Sequence, residues 1–211
     1  MQRPLDQIGT RLNEAFYLRE DVVQISKELL GKHLVTNFDG QLTVGKIVET
    51  EAYRAPEDKA SHAYGNRLTP RTKVMFEPGG HCYIYLCYGI HHLFNVVTAS
   101  GGIAHAVLIR AIEPVWGIET MLQRRSMPQL KTNLSAGPGT CSQALGLTTA
   151  SSGLSLTENA SPVWIETPVV FETFEIQTGT RVGVAYSEES AFWPWRFSIA
   201  GNKWVSKAKG L

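Results

Sequence analysis

The dipeptide Asp39-Gly40 separates two runs that read as paired strands, His33 to Phe38 and Gln41 to Tyr53. Asp-Gly between apolar, β-branched segments is a strong signal for a two-residue hairpin, because both turn positions need a positive φ. The second arm is long and ends in Ile47-Val48-Glu49-Thr50-Glu51-Ala52-Tyr53. Strand side chains alternate, so Glu49, Glu51 and Tyr53 share one face and Val48, Thr50 and Ala52 the other. Two acids and an aromatic on one face suit either a solvated surface or a site in which a carboxylate activates water. The pattern alone leaves both open.

The rest of the chain continues in short elements. Asp21 to Gly31 reads as a helix, with Asp21 as cap, Val22, Val23, Ile25, Leu29 and Leu30 as apolar stripe and Gly31 as stop. Residues 54 to 80 form a long loop rich in Pro, Gly, Asn and Arg, a length that in a compact domain points to function or disorder. Cys82 to Tyr88 and Leu93 to Thr98 read as a second hairpin, and His105 to Ile112 as a strand ended by Glu113-Pro114. Helices are expected over Ile118 to Arg125 and Cys141 to Leu145, and strands over Val163 to Ile165, Arg181 to Tyr186 and Arg196 to Ile199. Hairpins with few helices argue an α+β fold. The 211 residues suffice for one core, so a single domain over 1–211 is expected, with 1–17 loosely ordered.

On the strand 82–88, Tyr83, Tyr85 and Cys87 share a face, and Ile84, Leu86 and Tyr88 the other. Tyrosine favours strands, so this is either plain sheet surface or a set of ring faces that could sandwich a base. Tyr53, His62 and Tyr85 are the candidates for such a pocket. Tyr88, just before Gly89, stands where the hairpin turns and could wedge between stacked bases.

Several classes are excluded. No apolar run approaches the roughly 18 to 20 residues that cross a bilayer, so no membrane role is expected. The three cysteines lack a scaffold spacing, which favours a reducing interior compartment. Cys82 and Cys87 point to opposite faces of a regular strand, which argues against a metal shared between them. Ala136-Gly137-Pro138-Gly139 lacks the Lys and Ser/Thr of a phosphate loop. The net charge of +1 and pI of about 7.8 are weak for a nucleic-acid binder, so any such contact rests on local basic clusters.

Longer motifs carry more. Glu49-Thr50-Glu51-Ala52-Tyr53, Pro56-Glu57-Asp58, His62, Thr69-Pro70-Arg71, Met75-Phe76, Tyr83-x-Tyr85-x-x-Tyr88-Gly89, Asn95-Val96 and Val107 to Pro114 recur in order and spacing in one family. Gly137-Pro138-Gly139, Gln143-Ala144-Leu145, Arg181-Val182-Gly183-Val184 and Trp204-Val205-Ser206 extend the match from about Leu18 to Ser206. The chain resembles the alkyladenine (3-methyladenine) DNA glycosylases, and a bacterial member more than a nuclear vertebrate one.

The resemblance implies a single domain with a curved antiparallel sheet, surrounding helices and a protruding β-hairpin. It implies a monofunctional enzyme that needs neither metal nor cofactor and starts base excision repair on double-stranded DNA holding alkylated, and also deaminated, purines. Glu51 would activate the water, helped by Arg110 and the carbonyl of Val184. Tyr53, His62, Tyr85, Asn95 and Leu108 would line the base pocket, with Asn95 rejecting the exocyclic amine of normal guanine. Tyr88 would intercalate. Arg67, Arg71 and Lys73 would contact the DNA backbone. A monomer is expected, in the bacterial cytoplasm or, in a eukaryote, the nucleus. The chain departs from the family at Thr140-Cys141-Ser142, where Lys-Leu-Cys is usual, which removes a cationic contact to DNA. The alternative is a module that binds damaged DNA or RNA without chemistry.

Overall fold

A computed structural model describes residues 3–210. Its strands are β1 (Thr10–Arg11), β2 (His33–Phe38), β3 (Gln41–Arg54), β4 (Cys82–Cys87), β5 (His91–Thr98), β6 (His105–Trp116), β7 (Val163–Thr167), β8 (Ile176–Gly179) and β9 (Arg196–Ile199). Among the described residues these form one nine-stranded sheet, in the order β1-β7-β2-β3-β6-β5-β4, with β9 joining β3 to β8. Every pairing is antiparallel. The α-helices are α1 (Glu14–Tyr17), α2 (Val22–Glu28), α3 (Ile118–Arg124) and α4 (Pro138–Leu145). The α+β expectation holds, and the sheet is open and curved.

Local chemistry explains the main elements. Asp39 and Gly40 sit at φ of 52° and 75° and join Phe38 to Gln41 in a two-residue turn. Asp21 caps α2 by accepting a hydrogen bond from the Gln24 N–H, and Gly31 follows the helix at a φ of 78°. α2 and α4 cover the sheet face that carries Val48, Ala52, Val107 and Ile109, and these helices and strands share one apolar core. Thr50 points the same way and donates to the backbone carbonyl of Ser26 on α2 at 2.9 Å.

β3 is the axis of the fold. β6 runs along one edge, and β2 and then β9 pair with the other. The β3–β6 register shifts between Val44 and Gly45 and on either side of Glu49, leaving Val48 and Arg110 out of the ladder. Such bulges bend a strand and re-aim its side chains. Here they curve the sheet and leave the face of Glu49, Glu51 and Tyr53 uncovered by the helices.

Some boundaries differ from expectation. β6 runs through Pro114 to Trp116. β5 pairs only the first part of β6, so Pro114 lies on an open edge opposite Gly45, at a bulge, where a missing N–H costs little. α4 begins at Pro138 rather than Cys141, because proline at the first helical position needs no N–H partner. Arg181 to Tyr186 is not a strand. It is a turn with Gly183 at a φ of 75°, leading into a 3-10 helical stretch, Ala185–Phe192. β1 and β8 carried too little pattern to be anticipated. Within the segment 1–17, Thr10 and Arg11 pair with β7, and Tyr17 is fully buried. Among the described residues no helix is long and apolar enough to cross a membrane.

Candidate active site

The site is built on a row that runs across the sheet. Arg196 on β9 stands opposite Glu51 on β3, Glu51 opposite Leu108 on β6, Leu108 opposite Asn95 on β5, and Asn95 opposite Tyr83 on β4. In antiparallel sheets residues directly opposite project to the same face. Tyr53 and Ala106, two residues along, extend this face in one direction and Arg110 in the other. A pocket of about 550 Å³ opens over it, lined among others by Tyr53, His62, Tyr85, Asn95, Leu108, Arg110 and Val184. That volume is typical of small-ligand sites. Residues proposed from positions as far apart as 53 and 184 therefore meet around one hollow.

Glu51 is fully buried beside it. Its Oε1 accepts from the backbone N–H of Val182 at 2.7 Å and lies 3.1 Å from Nη1 of Arg110. Its Oε2 accepts from the Tyr53 hydroxyl at 2.8 Å. Burial, and then the charge of Glu51, hold the Tyr53 hydroxyl well above its ordinary pKa, so it remains a donor. The solvated-face reading of Glu49 and Glu51 is excluded, since both are fully buried. Burying an unpaired carboxylate costs several kcal/mol, on the order of the desolvation of an ion, and here the convergent donors offset it.

The aromatic wall comes from β4 and the 54–80 loop. His62 lies edge-on to Tyr85 with centroids 4.5 Å apart, and its Nδ1 is 2.8 Å from the Tyr83 hydroxyl. Burial first, and the nearby Arg71 second, lower the His62 pKa to about 4, so the ring is neutral at neutral pH. Asn95 is buried, and its Nδ2 donates to the backbone carbonyls of Tyr83 and Leu93 at 3.1 and 3.2 Å. That fixes its amide at the pocket floor. Tyr88 is at the tip of the β4–β5 hairpin, 90% exposed and at a φ of 51°. A left-handed tyrosine costs roughly 1–3 kcal/mol, and an exposed aromatic forgoes about 2 kcal/mol of burial. Folding alone gives no reason for that placement.

The Val184 side chain lines the pocket, but its carbonyl accepts from the Ser187 N–H at 2.9 Å and the Ser187 hydroxyl at 2.7 Å. The backbone group of this loop that reaches Glu51 is the Val182 N–H. Arg67 and Lys73 are exposed. Arg71 is also exposed and reaches the pocket rim, with its guanidinium 4.9 Å from the Tyr85 ring centre and Nη2 2.9 Å from His62 Nε2.

Sequence reasoning assigned no role to Asp58 and Arg181. Arg181 is buried, donates to both oxygens of Asp58 and to the carbonyls of Ala52 and Ser190, and lies 4.8 Å from the Tyr53 ring centre. This pair ties the 181–184 turn to the loop after β3 and holds Val182 against Glu51. The only sequence signal for it was that both residues fall in the matched motifs.

The site is thus a sheet rung with a buried, multiply bonded glutamate beside an aromatic-lined pocket whose rim carries an exposed hairpin-tip tyrosine. The profile of the family described as methylpurine-DNA glycosylase (MPG) matches residues 15–203. A Chlamydia pneumoniae protein is 46% identical over 198 residues, covering 90% of this chain and 95% of its own. A Chlamydia felis protein is 48% identical over 189 residues, 89% of this chain and 95% of its own. A Bacillus cereus (strain G9842) protein is 44% identical over 195 residues, again 89% and 95%. All three are provisionally named 3-methyladenine DNA glycosylase. The chain belongs to the methylpurine-DNA glycosylase family, enzymes that hydrolyse N-glycosyl bonds.

Proposed function

We propose that the protein is a monofunctional 3-methyladenine DNA glycosylase that flips alkylated, and also deaminated, purines out of duplex DNA and hydrolyses their N-glycosidic bond. One observation carries the reading: the buried Glu51 is bonded to Tyr53 and Arg110, which line a pocket together with His62 and Tyr85. The extruded purine stacks among these rings, and a cationic alkylpurine gains from their electron-rich faces. Asn95 and Leu108 shape the floor, where the fixed amide of Asn95 meets the exocyclic amine of guanine unfavourably. Tyr88 fills the gap left in the duplex, and Arg67, Arg71 and Lys73 meet phosphates.

As the C–N bond breaks, the deoxyribose gains oxocarbenium character. Glu51 stabilises that charge and takes a proton from the attacking water, with Arg110 and the Val184 carbonyl aiding its placement. The carbonyl has to share itself with Ser187 to do so. The products are the free base and an abasic site. No lysine is among the described residues lining the pocket, which favours direct hydrolysis over a Schiff-base route. The enzyme acts as a monomer on bacterial chromosomal DNA.

The test is base release from duplexes with a single hypoxanthine or ethenoadenine, and from methylated DNA, with Glu51→Gln in parallel. The native chain is expected to release base, and the variant to bind lesion DNA without turnover. Lesion binding without release by the native chain would make it a damage-binding module instead.

A further inference from the structure

Glu49 is as deeply buried as Glu51. Its Oε1 accepts from Nε of Arg110 at 2.8 Å and from the Ser206 hydroxyl at 2.9 Å, and its Oε2 from the Ser206 N–H at 2.8 Å. Nη1 of Arg196 lies 3.6 Å from Oε1. Arg110 thus spends its Nε on Glu49 and presents Nη1 to Glu51. The bulge around Glu49 makes this possible, because Arg110 falls out of the ladder and lies between the two carboxylates. Burial opposes the charge on Arg110, and Glu51 and Glu49 together outweigh it. Ser206, in a motif that the catalytic roles leave unused, closes the arrangement from behind.

We propose that Glu49 is a positioning residue for base release: it aims Arg110 at Glu51 and divides that guanidinium's charge between two carboxylates, with Ser206 setting how much falls to Glu49. This rests on the reading of Glu51 as the base. Neutralising Glu49 would leave the charge of that guanidinium to Glu51 alone. The charged and titratable groups facing the two acids include Arg110 from β6, Arg196 from β9, Tyr53 from β3, Tyr85 from β4, Cys141 from α4, and Arg181, beyond Tyr53, with its partner Asp58. Among the described residues, Arg110 is the cation whose side chain pairs with both.

The experiment is single-turnover base release at saturating enzyme across pH for the native protein, E49Q, S206A and E51Q, with lesion-DNA affinity and thermal unfolding alongside. E49Q keeps the shape of the side chain and removes its charge. Its affinity for lesion DNA is expected to stay within about twofold, its plateau rate to fall roughly tenfold or more, and its acid limb to move to lower pH. S206A removes a donor from Glu49 and an acceptor from Nη2 of Arg110 and leaves both charges, so its plateau rate is expected to fall less than that of E49Q and its acid limb to stay in place. An E49Q profile that superimposes on the native one after scaling would overturn the role of Glu49. If E49Q does not fold, S206A decides, and an unchanged plateau rate in it would overturn the role. Retained turnover in E51Q would instead remove the base assignment, a failure read independently of the other variants.

Discussion

Arg181 grips Asp58 from 123 positions away along the chain, with both side chains fully buried. Breaking such a pair strands a charge in the interior. Asp58→Ala is therefore expected to lower stability by about 3–5 kcal/mol. Urea unfolding checks this. A loss under about 1 kcal/mol, the scale of an exposed pair, would show that the two do not hold the loops together.

Tyr88 stands clear of the core at 90% exposure. Tyr88→Ser is accordingly expected to leave the unfolding midpoint unchanged or slightly raised, since a serine tolerates the turn no worse. Affinity for lesion-bearing duplex should drop by about 1–3 kcal/mol, the value of one base–aromatic stack. Titration of both proteins with the same labelled duplex separates these effects, and equal affinities would leave the tip without a role in DNA binding.

The imidazole of His62 has its pKa lowered from 6.5 to about 4, by burial first and Arg71 second. Between those values the unfolded chain carries the proton and the folded chain does not, so stability rises with pH across that window. The stabilising contribution is complete above pH 6.5 and falls as pH drops towards 4. His62→Gln is expected to lose less stability than the native protein over the same interval. Equal slopes from denaturant midpoints would mean that His62 titrates as an exposed imidazole.

Much of this was legible in the residues. Asp39-Gly40 announced its turn, and strand alternation put Glu49, Glu51 and Tyr53 on one face and Val48 and Ala52 on the other, where the structure has them. Arg181 to Tyr186 misled because an alternating Val-Gly-Val run looks like a strand. Its backbone instead follows Arg181 into the interior and turns at Gly183. Pro114 misled for the opposite reason, since local chemistry cannot show that a strand edge lies open. The partners of Glu49 were out of reach, because the bulge that aligns Arg110 with it depends on the pairing of two strands. So too was the engagement of the Val184 carbonyl by Ser187, which is a matter of tertiary contact.

The hairpin that carries Tyr88 also exposes Leu86 and Ile90. A small apolar cap at a protruding tip is a place where molecules adhere to one another when nothing covers it. A concentrated, DNA-free stock should therefore scatter more light than one stored with an undamaged duplex, and polar replacements at Leu86 and Ile90 should lessen the difference. The exposed tip that carries Tyr88 thus also governs how well the protein keeps on the shelf.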